Sequence, residues 1–130
     1  LAYTVHAFGA EHTRGGMFIS YIATSPERER EAHDGLVGEV SALRDAPITA
    51  EELSRAKRYL LGMHEVRQER GGAVLGDMVD AWLFGTGLAE LDEFARCTEE
   101  VSADEIMTLA DRYFDPRTAV EGVVRGTSAK

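Results

Sequence analysis

The chain has 130 residues, 44% of them hydrophobic and 28% charged, enough for one domain with a core and too few for two. With 14 basic against 23 acidic side chains the formal charge is -9, which repels phosphate backbones and anionic bilayers and argues against nucleic acid or a membrane as partner. The single cysteine, Cys97, excludes an internal disulfide framework and a multi-cysteine zinc site, and no apolar run approaches the roughly 18 residues of a membrane span, so a soluble piece is expected.

The chain opens on Leu1-Ala2-Tyr3-Thr4-Val5, the middle of an amphipathic strand, with no initiator methionine. A domain rarely begins inside a paired strand, where backbone groups and half an apolar face would lack partners, so a single domain, residues 1–130, cut from a longer protein is expected. Residues 1–8 alternate, with Leu1, Tyr3, Val5 and Ala7 on one face and Ala2, Thr4, His6 and Phe8 on the other. Residues 17–24 alternate in the same way. Between them, residues 9–16 are polar and glycine-rich, which predicts an antiparallel hairpin with a longish loop. Apolar residues on both faces predict a sheet covered on one side and partly shielded on the other.

The period then changes to 3.6. Ser25-Pro26-Glu27 is a helix start, combining a capping hydroxyl, a proline with no amide to waste and an acid at the positive helix end. Ala32, Leu36, Val40 and Leu43 line one stripe, and Pro47 ends it. Thr49-Ala50-Glu51-Glu52 is a capping box opening a second helix, with Leu53, Ala56, Leu60 and Met63 inward. That helix runs to about Arg70, where Gly71-Gly72 interrupts it. Residues 73–84 carry Val74, Met78, Val79 and Trp82 at helical spacing and stop at the breaker Gly85-Thr86-Gly87. A short helix follows over residues 89–97. Ser102-Ala103-Asp104-Glu105 is a second capping box, with Ile106, Leu109, Ala110 and Tyr113 inward and Asp115-Pro116 as terminator. Residues 118–125 return to strand character, and residues 126–130 read as a frayed tail. The order predicts an α+β domain with helices packed on one face of an antiparallel sheet that the last strand joins.

The reactive groups do not assemble into a recognisable catalytic motif. His6 and Glu11-His12 lie near one another, but the inverted zinc-peptidase pattern H-x-x-E-H needs a shorter spacing on a helix, and this segment reads as strand and loop. His64-Glu65 has Gln68 where H-E-x-x-H requires a second histidine. His33 and His64 read as helix-surface residues. Ser20 and Ser25 lack a glycine elbow, and Cys97, among Phe94, Ala95 and Val101, reads as a half-buried structural thiol. The glycines make no phosphate loop, because no Lys-Ser or Lys-Thr follows them. Acidic runs around Glu27 and Glu51 are solvated helix starts, and Met63, Met78, Trp82 and Met107 are expected in the core.

Five segments carry a resemblance. Leu1-Ala2-Tyr3-Thr4-Val5; Gly16-Met17-Phe18 leading to Thr24-Ser25-Pro26-Glu27; Ile48-Thr49-Ala50-Glu51-Glu52-Leu53-Ser54-Arg55-Ala56-Lys57; Gly85-Thr86-Gly87-Leu88; and Val101-Ser102-Ala103-Asp104-Glu105-Ile106 stand in the order and spacing of the insulinase, pitrilysin and mitochondrial processing peptidase superfamily. Over nearly its whole length the chain resembles the C-terminal, non-zinc half of those zinc metallopeptidases. The resemblance implies homologous α+β domains forming two halves of a clamshell, with zinc bound by H-x-x-E-H in the half this chain is not. It implies no cofactor in this chain, zinc in the parent or partner half, and as partners that zinc-bearing half and a peptide substrate. It further implies that Tyr3 matches a tyrosine that reaches across the chamber, with an arginine seven positions upstream, to bind the scissile carbonyl and its developing oxyanion. The piece alone is expected to be inactive. A scaffold reading stands beside this one, in which the parent is a noncatalytic relative such as a processing-peptidase helper subunit or a respiratory-complex core protein. Many relatives are dimers or two-subunit enzymes, so a dimer is consistent with either reading.

Overall fold

The computed structural model describes residues 2–85 and 87–126. Two antiparallel strands open the domain, β1 (Thr4–His12) and β2 (Gly15–Ala23), paired without a break from Thr4↔Ala23 to His12↔Gly15. The longish loop expected over residues 9–16 is instead a two-residue turn at Thr13 and Arg14. Glycine-rich sequence still supports pairing here, because Gly9, Gly15 and Gly16 place no side chain that must find cover on an otherwise bare hairpin tip. Leu1, Thr86 and residues 127–130, which the strand, breaker and tail expectations include, lie outside the described residues.

A 3-10 turn, Pro26–Arg28, leads into α1 (Glu29–Asp45). Proline fixes the turn, so Ser25 precedes it rather than capping the α-helix itself. Next come α2 (Ala50–Gln68), α3 (Gly71–Leu83), α4 (Ala89–Glu100) and α5 (Ala103–Tyr113). Both expected capping boxes are formed. Glu52 donates its amide to Thr49 Oγ1 at 3.2 Å while Thr49 returns its own to the Glu52 carboxylate at 2.9 Å, and Ser102 with Glu105 repeats the pattern at 3.2 and 2.8 Å. Gly71 and Gly72 start α3 rather than merely interrupting α2. Past α3 the chain turns at Gly87, whose φ of +106° suits glycine because no Cβ opposes it.

Among the described residues the architecture is therefore α+β, a two-stranded antiparallel sheet followed by five α-helices. Helix α1 packs on α5 and β2, while α2, α3 and α4 pack on one another. Phe18 of β2 stacks against Phe114, just past α5, at 4.8 Å between ring centres. That contact sets the face carrying Phe18, Val5 and Ile22 against the helices.

The last strand expected over residues 118–125 is not one. A 3-10 turn, Pro116–Thr118, is followed by extended chain that pairs with neither strand. A strand-forming sequence becomes a strand only beside a partner edge, and α1 holds this one away from the hairpin. The expected core is also absent from its predicted positions. Met63, Met78 and Trp82 are exposed, Trp82 by 73%, and the buried apolar side chains are the alanines Ala32, Ala81 and Ala110. Total accessible surface is 10627 Å², against about 6,800 Å² for a compact monomer of 14.2 kDa. The surplus, roughly 3,900 Å² on this one chain, exceeds the roughly 1,000–2,500 Å² that one partner contributes to an obligate interface, so a partner would cover only part of it.

Candidate functional site

Tyr3 sits one residue before β1. Its amide donates to the carbonyl of Ala23 at 2.8 Å, extending the ladder by one bond and fixing the backbone from which the side chain projects. The side chain is 80% exposed, and its hydroxyl makes no hydrogen bond among the described residues. An exposed phenol on a bonded backbone is a positioned O–H donor free to meet a ligand. The arginine that the resemblance pairs with it would precede residue 1.

The histidines do not converge. His6 and His12 share one face of β1 but are six residues apart on an extended strand, roughly 20 Å, and Glu11 points to the other face. His6 instead bonds Thr4 Oγ1 at 3.0 Å. His64 stacks on Phe94 at 4.2 Å and lies 3.5 Å from the Gln68 amide that stands where a second ligand would be. Among the described residues no group of three or more His, Cys, Asp or Glu side chains is arranged to hold a metal, so a zinc site does not fit the donors present here.

Cys97 is exposed rather than half-buried, because α4 turns it outward beside Arg96. Arg96 is bound to Glu93 at 2.6 Å and Glu100 at 2.7 Å, which pushes its pKa further up and removes it as a base for the thiol. Nucleophilic chemistry finds no activated group there.

An open cleft of about 710 Å³ lies between the hairpin and α2, α3 and α4. Its walls are apolar at Leu60, Met63 and Phe94, with Arg67 bound bidentately to Asp77, by Nη2 to Oδ1 at 2.7 Å and by Nε to Oδ2 at 3.2 Å. That ion pair raises the Arg67 pKa and ties α2 to α3 across their short joint. Sequence reading passed over it, although opposite charges ten residues apart, flanking a glycine pair between two helices, are a signal for such a corner. The cleft is in the size range of a ligand pocket, and His64, Glu11 and Asp80 also line it. A scan against protein-family models finds no match to the chain, and a search of curated proteins finds none either.

Proposed function

We propose that the chain is the noncatalytic half of a clamshell zinc metalloendopeptidase of the insulinase, pitrilysin and processing-peptidase type. It closes the substrate chamber against the zinc-bearing half and lends Tyr3 to the scissile carbonyl of a bound peptide. The observation that carries the reading is the surplus surface of roughly 3,900 Å² over a compact monomer of this mass, part of which a second clamshell half would cover. The five sequence segments in register give that surplus a family context, and the free, exposed hydroxyl of Tyr3 fits the role.

In this role Tyr3 acts through its neutral O–H, donating a hydrogen bond that strengthens as negative charge builds on the carbonyl oxygen. The zinc, held by the other half, supplies Lewis-acid polarisation and an activated water. This chain contributes orientation and exclusion of solvent.

The test is the sequence of the parent reading frame and its neighbour upstream of Leu1, followed by Tyr3→Phe in the assembled enzyme. An arginine seven positions before Tyr3 with an H-x-x-E-H segment, and a fall in kcat of about 10²–10³-fold with little change in KM, is the expected result. Absence of both motifs, with no cleavage by the assembled protein, turns the parent into a scaffold.

A further inference from the structure

Residues 119–126 leave the turn at Pro116–Thr118 and run back along α1, forming neither helix nor strand. Among the described residues, the amide of Ala119 bonds the Pro116 carbonyl, and no backbone hydrogen bond joins residues 120–126 to anything else. Packing does not hold the segment either, since Val120 is 95% and Val124 100% exposed. Two side-chain contacts do. Nε2 of His33 lies 3.2 Å from the Glu121 carboxylate, and the Arg125 guanidinium donates to the two carboxylate oxygens of Glu29 at 2.5 and 2.8 Å. Glu29 and His33 are four residues apart on α1 and so present one face, which gives the segment a two-point clasp.

We propose that residues 119–126 form a strap clasped to α1 by His33–Glu121 and Glu29–Arg125, and that deprotonation of His33 opens it. Exposed ion pairs are each weak, so a segment resting on two of them alone is poised near balance and loss of one shifts it measurably. The groups acting on His33 are Glu121 on the strap, Asp34 at 3.3 Å and Glu29 on its own helix, with Arg30 drawn to Asp34 at 3.6 Å. The other elements packed on α1, which are α5, β2 and the 3-10 turn before it, bring no titratable group that acts on His33.

The sign follows from those neighbours. Hydrogen bonds that the imidazolium donates to the Asp34 and then the Glu121 carboxylate hold it charged and raise the His33 pKa. The clasp is therefore complete below the ordinary histidine range and loses the charge at one of its two points as pH rises through the raised value, leaving at most a neutral hydrogen bond there. Acid opens it as well, once Glu29 is protonated, so closure is greatest in mildly acidic solution. Opening frees a valine-rich chain of strand-forming sequence with unpaired backbone donors and acceptors, without breaking a backbone hydrogen bond.

The experiment is ¹⁵N relaxation on the whole chain, reading the heteronuclear NOE of Val120, Glu121, Val123 and Val124 at about pH 5.5 and about pH 8.5, with helix content followed by circular dichroism. The expected result is ordered amides at the lower pH and a rise of about two- to five-fold in the open population at the higher. His33→Gln should be open at both values and His33→Arg closed at both. Amides equally ordered at both values in the native chain, or a His33→Gln variant that tracks it, would overturn the proposal.

Discussion

Phe18 on the second strand and Phe114 past the last helix meet with ring centres 4.8 Å apart and planes tilted by 40°, closing a contact across 96 residues of chain. Little else holds the hairpin on the helices, because α1 is the one helix that packs appreciably on either strand. A tilted pair of this kind contributes about 0.5–1.5 kcal/mol beyond the area it buries. A double-mutant cycle with Phe18→Leu and Phe114→Leu, read by urea denaturation, should return a coupling in that range. A coupling near zero would mean that the rings are neighbours without attraction and that the hairpin is held by other means.

The capping boxes make a second prediction. Thr49→Ala and Ser102→Ala each free a first-turn amide and should each destabilise the chain by about 1 kcal/mol. The reciprocal bonds that Thr49 and Ser102 donate to the carboxylates, first from the hydroxyl and then from the backbone amide, lower the pKa of Glu52 and Glu105. A lowered carboxylate pKa contributes stability that is present above the unfolded value and lost as pH falls through the folded one. Each alanine variant should therefore be penalised most at neutral pH, and the gap to the native chain should narrow in acid. Denaturant midpoints at several pH values test both statements.

Asp115 offers a direct titration. Its carboxylate accepts from Arg117 Nη2 at 2.6 Å and from the Arg117 amide at 2.9 Å, and these bonds hold its pKa at about 2. Its share of stability is then present above the ordinary aspartate range and lost between about pH 4 and pH 2. The Asp115 carboxyl carbon, followed by NMR, should titrate near 2 in the native chain and return toward the ordinary value in Arg117→Gln. Part of the shift should survive that substitution, because the backbone bond remains.

The elements with local causes were legible in the sequence. Thr49-x-x-Glu52 and Ser102-x-x-Glu105 start helices through contacts three residues long, and α+β order follows from alternation in the first strands and helical spacing afterwards. Features that depend on distant cover were not. The valines at 120, 123 and 124 have strand chemistry, yet a strand exists only where an edge receives it, and in this structure ion pairs to Glu29 and His33 take the segment elsewhere. Periodicity identified the apolar stripes of α2 and α3 but not what covers them, which is why Met63, Met78 and Trp82 were expected inside and stand outside. Tyr3 entered through the resemblance alone; alternation on a strand marks an aromatic without distinguishing packing from binding.

Zinc tests the proposed noncatalytic role. The histidines are dispersed over β1, α1 and α2, and no described cluster has the donors for a catalytic ion. Excess zinc should therefore leave the melting transition of the native chain in place, and peptides incubated with the chain and zinc should stay intact. Ligand binding to the native state alone raises stability in proportion to the logarithm of its concentration, so a melting temperature that climbs with added zinc, accompanied by cleavage, would place a metal site in this chain and overturn the proposed noncatalytic role.

Neighbouring positions on α3 separate a covered face from an open one. Ala81 is 5% exposed where α3 meets its neighbours, whereas Trp82, the next residue, stands out beside Met78, Val79, Leu83 and Leu88 in an apolar patch. Trp82→Ser should shift the stability of the isolated chain by no more than about 0.5 kcal/mol, as at other uncovered sites. Ala81→Leu should cost about 1–3 kcal/mol, because the larger side chain has no room without moving a helix. Urea denaturation of the two variants gives both numbers. The indole should also be fully open to iodide quenching in the isolated chain and become protected when a partner covers the patch. A large loss of stability in Trp82→Ser would instead place the indole in a packed core, and the surplus surface assigned to a partner would shrink accordingly.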